Sequence, residues 1–334
     1  MDSRSAGVGR RGVFPSGQSG WPIWKCAGAT WEMRRCHLVR IPLEPPREAR
    51  IYLGSRKCPA DIGGMMKFNI LGPLEVLDRG IPCTPSALKV RWTLAILLMN
   101  ANRIVDLGLI IEEIWGGSPP RTVVTTAQTY IYQLRKLCRP QGRDVILTKA
   151  PGYVLLLGEE ELDAQEFERL HTEGDRLLAA GNPEAAAERL RQALGLWRGT
   201  ALADIPVGGV LAGHVAVLEE MRMRALEHRI LADQQLGRHR ELIPELRLLT
   251  LNQPLNEWYH EQLMLALDAA GRRSEALHVY RTLYRRLDED LGITPSRPVR
   301  DLHNELLSGT VPARQQFRAA AARAVEQGLR ARSA

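Results

Sequence analysis

The stretch Thr122 to Cys138, TVVTTAQTYIYQLRKLC, decides how this chain is read. On a wheel of about 100° per residue, Val123, Val124, Ala127, Ile131, Leu134 and Cys138 gather on one side, the apolar stripe of a helix lying against a core. Thr125, Thr129, Tyr132 and Lys136 point the other way. A surface helix ordinarily covers its outer face with Glu and Lys. This one presents Thr125, Gln128, Thr129, Tyr132 and Gln133, followed by Arg135, Lys136 and Arg139. Hydroxyls, amides and cations are the groups that meet base edges and phosphates. No Asp or Glu occurs between Glu113 and Asp144, whereas Arg121, Arg135, Lys136, Arg139 and Arg143 all fall in that interval, so its positive field is unbroken.

Upstream, Asp106 is placed to cap a shorter helix, LGLIIEEIW, which stops at Gly116-Gly117. The loop that follows, Gly116, Gly117, Ser118, Pro119, Pro120 and Arg121, holds two prolines that cannot continue a helix. Downstream, VILTKAPGYVLLL supplies two strands around Lys149-Ala150-Pro151-Gly152. A helix, a tight loop, a second helix and a hairpin make the core of a winged helix-turn-helix. In that arrangement the second helix enters the major groove, where Gln pairs with adenine and Thr touches a thymine methyl. Lys149, at the wing tip, then reaches phosphate or the minor groove. Ahead of this core, MKFNILGPLEVLDRG carries strand-like runs (Phe68, Ile70, Leu71, then Leu74, Val76, Leu77) broken by Gly72-Pro73, which predict a small antiparallel sheet. Ser86 to Met99 places Leu88, Trp92, Ala95 and Met99 at helical spacing. Arg91 on that helix is a further phosphate candidate, with a plain surface role an equal alternative.

Beyond Gly158 the texture is helical and repeats. AAGNPEAAAERLRQAL (179–194) resembles AAGRRSEALHVYRTL (269–283), and QLGRHRELIPELRLLTLNQP (235–254) shares the frame. Gly237 and Gly271 stand 34 residues apart, the tetratricopeptide period: two antiparallel helices with a small residue at their turn and a proline, here Pro254, after the second. Gly181 precedes Gly237 by 56 residues, so an insertion, TALADIPVGGV, separates the first unit from the others. Units of this kind stack because none buries its apolar face alone.

Charge is divided unevenly. Residues 61–150 hold eleven Lys/Arg against seven acids, whereas residues 151–310 hold eighteen against twenty-six, so any nucleic acid must be met by the first of these segments. Residues 1–64, rich in Gly, Pro, Ser and Arg, read as a disordered basic extension or, preferably, as sequence upstream of a start at Met65 or Met66; residues 311–334 form a basic tail. Five scattered cysteines without a C-x-x-C pair imply free thiols in a reducing cytoplasm, and no apolar run is long enough for a membrane. Phosphate loops, a dinucleotide fingerprint and H-E-x-x-H are missing, so no enzyme activity, cofactor or metal is expected. The histidines are spread singly, and His228 and His278 read as surface or packing residues.

MKFNILGPLEV, EEIWGGSPPRT, QTYIYQLRKL, TKAPGYVLLL, LDAQEFERL, ALGLWRG and LDEDLGITPS together resemble the Streptomyces antibiotic regulatory protein (SARP) family from Met66 to Leu307. The resemblance implies an α+β winged helix-turn-helix domain of OmpR type (66–158) followed by an all-α, tetratricopeptide-like bacterial transcriptional activation domain (159–310). It further implies a cytoplasmic activator of an antibiotic gene cluster that binds promoter direct repeats in double-stranded DNA as a head-to-tail dimer and contacts RNA polymerase holoenzyme. The loop Gly116 to Arg121 matches the polymerase-facing segment of OmpR-type activators. Thr125, Gln128, Thr129, Tyr132, Gln133 and Lys136 match the recognition face. Trp92 and Val105 depart from the family's usual residues, so Asp106 must take over capping. The ATPase module of longer relatives is not expected to act within this chain. Two rival readings stay open: a tetratricopeptide scaffold whose basic winged helix binds protein or nucleic acid without reading sequence, and a sensor whose helical groove holds a small molecule.

Overall fold

The strand runs around Gly72-Pro73 fold back on themselves. In a computed structural model, which describes residues 66–139, 143–158 and 160–309, β1 (Met66–Asn69) and β2 (Glu75–Asp78) pair antiparallel with Phe68 opposite Val76, both buried. The extension at 1–64 and the tail at 311–334 lie outside the described residues. A turn with positive φ at Arg79 and Gly80 leads into β3 (Ile81–Pro82). This two-residue strand, exposed on both residues, carries no alternation that a sequence could display.

The first helix, α1 (Leu88–Met99), buries Val90 and every residue from Thr93 to Leu98. It packs on α2 (Leu107–Trp115), α3 (Val123–Leu137), β6 (Gly152–Leu155) and α6 (Gly209–Gln235). The helix that the spacing of Leu88, Trp92, Ala95 and Met99 predicts is present, but the four do not share one inward side: Ala95 is buried, Trp92 and Met99 are half-buried and Leu88 is exposed. A helix enclosed on several sides has no single apolar stripe.

A strand the sequence did not suggest, β4 (Ile104–Asp106), joins the hairpin of β5 (Ile146–Lys149) and β6 in the order β4-β6-β5, all antiparallel. Only Val105 of β4 is buried, too little for a strand signal. Gly152 faces Asp106 across this sheet, and a Cβ on it would stand 1.9 Å from the Val105 carbonyl oxygen. Asp106 caps α2 as expected, its carboxylate accepting from the Gly108 amide at 2.6 Å, and the helix ends at Gly116 with φ +57°.

Three helical hairpins follow: α4 (Asp163–Ala179) with α5 (Pro183–Gly195), α6 with α7 (His239–Asn252), and α8 (Glu257–Ala269) with α9 (Arg273–Leu291), before a last helix, α10 (Arg297–Ser308). Gly181, Gly237 and Gly271 sit at the three turns with φ of +75°, +75° and +77°, which is why a glycine recurs in that frame.

The insertion between α5 and α6 works as a clamp on the first sheet. Arg198 N donates to Leu71 O at 2.7 Å and Leu202 N to Ile70 O at 3.0 Å, while the Asp204 carboxylate accepts from Leu74 N at 2.7 Å. From α4, the Asp163 carboxylate accepts from the amides of Ile70 and Leu71 at 2.8 to 3.0 Å. Leu202, fully buried, is held at φ +52°, a left-handed conformation that persists only where the surroundings enforce it. One apolar core consequently runs from Met66 to Ala225, across the boundary expected at 158, and a second spans Ile230 to Leu306.

Candidate nucleic-acid interface

Helix α3 is held by its own apolar stripe. Ala127, Ile131, Leu134 and the C-cap Cys138 are buried against α1, α2 and β5, and burial pushes the Cys138 thiol up to about 12. Val123 is half-buried and Val124 is 48% exposed, which corrects the wheel: the first turn of α3 overhangs the core, so Val124 joins the outer face. Trp115 stacks on Tyr130 with ring centroids 6.0 Å apart, and the Lys89 ammonium lies 4.6 Å from the Trp115 ring centre. The first contact fixes α2 against α3 and the second fixes α1 against α2, all three side chains being half-buried.

The outer face carries Thr125, Gln128, Thr129, Tyr132, Gln133 and Lys136, all exposed, with Tyr132 at 68%. Thr129 Oγ1 donates to Thr125 O at 2.8 Å, and Thr126 Oγ1 to Thr122 O at 2.9 Å. With their protons committed to the helix, these hydroxyls can only accept from an incoming base, and their methyls offer apolar contact. Arg121 is exposed at the N-terminal end of α3, and Lys149 is half-buried at the wing turn. Neither these two nor Lys136 nor Arg143 forms an ion pair among the described residues.

Three of the cations singled out in the sequence, Arg135 and Arg139 beside that face and Arg91 on α1, are already engaged within the chain. Arg135 turns toward the wing: its Nε donates to Ile146 O at 2.9 Å, its Nη2 to Thr148 Oγ1 at 2.7 Å, and its guanidinium lies 5.6 Å from the Tyr153 ring centre. It ties the helix to the hairpin. Arg91 pairs with the Asp204 carboxylate at 3.3 Å and donates to the Asp204 carbonyl at 3.0 Å, so it fastens α1 to the clamp. Arg139 is likewise paired, with Asp144 at 3.1 Å, which trims the positive field at its edge.

The loop of Gly116, Gly117, Ser118, Pro119, Pro120 and Arg121 is exposed throughout. Just before it, Glu113 accepts from the amides of Val210 and Leu211 at 3.0 and 3.2 Å. A carboxylate there satisfies free donors at the start of α6 and meets the positive end of its dipole, so α2 and α6 are joined end to side. Nothing local to Glu113 marks these partners, which lie 97 and 98 residues along the chain. Away from the α3 face, α4 and α6 bring His171, Asp175 and His228 together, contrary to the expectation that the histidines stand singly. Their spacing offered a partial sign, since His171 and Asp175 are four apart on one helix. No helix among the described residues is long and apolar enough to cross a membrane.

The profile of the bacterial transcriptional activator domain matches residues 162–307. The regulatory protein DnrI of Streptomyces peucetius is 38% identical over 250 residues, 72% of this chain and 92% of its own length. The transcriptional regulator RedD of Streptomyces coelicolor is 35% identical over 253 residues, 74% of this chain and 72% of its own. Among solved structures, Mycobacterium tuberculosis EmbR in complex with a low-affinity phosphopeptide superposes with a TM-score of 0.73 at 32% identity, covering 78% of this chain and 69% of that one. A winged helix ahead of a tetratricopeptide-like activator domain, shared along most of its length with such regulators, places this chain in the Streptomyces antibiotic regulatory protein family of transcriptional regulators.

Proposed function

We propose that the protein is a sequence-specific DNA-binding activator of a secondary-metabolite gene cluster, acting in the cytoplasm on promoter DNA. The observation that carries this reading is the outer face of α3: hydroxyl and amide side chains are exposed, no acid interrupts them, and the cations Arg121 and Lys136 flank them. In the major groove, Gln128 and Gln133 pair with base edges, Val124, Thr125 and Thr129 contact thymine methyls, and Tyr132, Lys136 and Arg121 meet the backbone. Lys149 follows with the wing. Residues 66–158 then serve as the DNA-binding domain and 159–310 as the activation domain, with the loop from Gly116 to Pro120 turned toward RNA polymerase holoenzyme. The surplus of acids in residues 151–310 supports the division of labour, since that half repels DNA and is left to meet protein.

Two protomers bind head to tail on a direct repeat. A nuclease footprint on the intergenic DNA beside the gene tests this: the expected result is two protected blocks of like orientation, their centres an integral number of helical turns of about 10 base pairs apart. Protection with inverted symmetry, or none, contradicts it.

A further inference from the structure

We propose that His171, Asp175 and His228 form an exchangeable site for a divalent transition-metal ion of the Zn²⁺ class, binding α4 to α6. His171 and Asp175 stand one turn apart on α4, and the packing of α6 brings His228 against them. His228 Nδ1 lies 2.6 Å from Asp175 Oδ1, and His171 Nε2 lies 3.5 Å from the same oxygen. All three donor atoms fall within 4.8 Å of one another.

Zinc bound at roughly 2.0 to 2.1 Å in a tetrahedron holds its donors about 3.3 to 3.5 Å apart. The His171–Asp175 distance already meets that, the shorter Asp175–His228 contact has to open by under about 1 Å, and the two imidazole nitrogens, within 4.8 Å of each other, have to close by at most about 1.5 Å. Two imidazoles and one carboxylate suit zinc and its neighbours, whereas calcium and magnesium call for oxygen alone. The His171 ring is held in place, stacked on Phe167 at 5.8 Å and on His228 at 6.2 Å, and is almost fully buried. The side chains of Asp175 and His228 keep 21% and 12% of their exposure, so an ion reaches the cluster from their side and takes water as a fourth ligand. A site with three protein ligands and one open position exchanges its ion, unlike a closed structural site with four. The two helices it would join are those on which the DNA-binding half rests: α4 packs on β1, and α6 packs on α1 and α2.

Titration of the full chain, free of any affinity tag, with ZnCl₂ by calorimetry tests this, with Co²⁺ absorption as a second readout. One equivalent bound with a Kd at or below about 10 µM is expected, weakened at least tenfold in Asp175→Asn and in His228→Gln and unchanged in Cys83→Ser. X-ray absorption of the zinc-loaded wild type, which needs no variant to fold, is expected to show two imidazoles and no sulfur around the ion. Equal binding by wild type and both variants, sulfur in the coordination shell, or no saturable binding overturns the proposal.

Discussion

Gln128 and Lys136 lie on the same exposed face of α3, and under the proposed function they would meet DNA through different physics. An amide reads a base edge, whereas an ammonium neutralises a phosphate and releases counterions whatever the sequence. Gln128→Ala is expected to change preference at one base pair by about 1 to 3 kcal/mol, and Lys136→Ala to weaken all duplexes alike and lower the salt slope by about one. Gel shifts over a salt series and a set of single-base variants check both. Asp163 offers a second test. Burial raises its carboxyl from the ordinary 3.8 to about 6, against the pull of the Ile70 and Leu71 amides and Arg198. Between those values the folded state binds a proton that the unfolded chain does not, so the group's contribution to stability is greatest below the unfolded pKa and falls as pH rises through the folded one. The stability of the wild type relative to Asp163→Asn should accordingly fall by up to roughly 3 kcal/mol from about pH 4 to pH 7, measured by denaturant unfolding. A relative gain over that window would mean that the hydrogen bonds outweigh burial. At this scale the sequence was a good guide where a residue type has a local job, as with Asp106 at a helix start or glycine at a left-handed turn. It was a poor one where the partner is remote: His171 and His228 are 57 residues apart, and only the packing of α4 on α6 reveals that they meet.

Among the elements, α3 and the wing form one piece, joined by the Arg135 fork and braced by β4. Gly152 is the weak point of that brace, because any side chain there collides with the backbone of β4 rather than with a movable group. Gly152→Ala should therefore destabilise the protein by about 3 kcal/mol or more, read as a fall in Tm, and promoter affinity should fall with it as Lys149 loses its placement. An unchanged Tm would show that β4 can move aside without cost. Helix α3 was legible because a 15-residue amphipathic period is a strong local signal, even though Val124 was assigned to the wrong side. The strands β3 and β4, with two and three residues, lie below the length at which alternation can be seen, and α1 is enclosed on several sides, which removes its period.

In the whole molecule, the winged-helix and tetratricopeptide-like halves share a core and are cross-linked by Asp163, Arg198, Leu202 and Asp204 on one side and by Glu113 on the other. Glu113 stands just ahead of the exposed loop at Gly116 to Arg121 and ties the end of α2 to the first turn of α6. The repeat frame announced an interruption after the first helical hairpin but not its purpose, since a clamp is defined by what it grips. Arg91 distinguishes clamp from DNA contact. Arg91→Ala should lower stability by about 1 kcal/mol, the scale of a partly buried ion pair with one added hydrogen bond, and leave the salt slope of DNA binding unchanged. A slope reduced by about one would place Arg91 on phosphate. The central claim, that the outer face of α3 reads sequence in a duplex, is tested most directly by a competition gel shift. Unlabelled promoter duplex should displace the labelled promoter at concentrations at least about a thousandfold below those needed with random duplex of equal length; equal displacement by the two would contradict it.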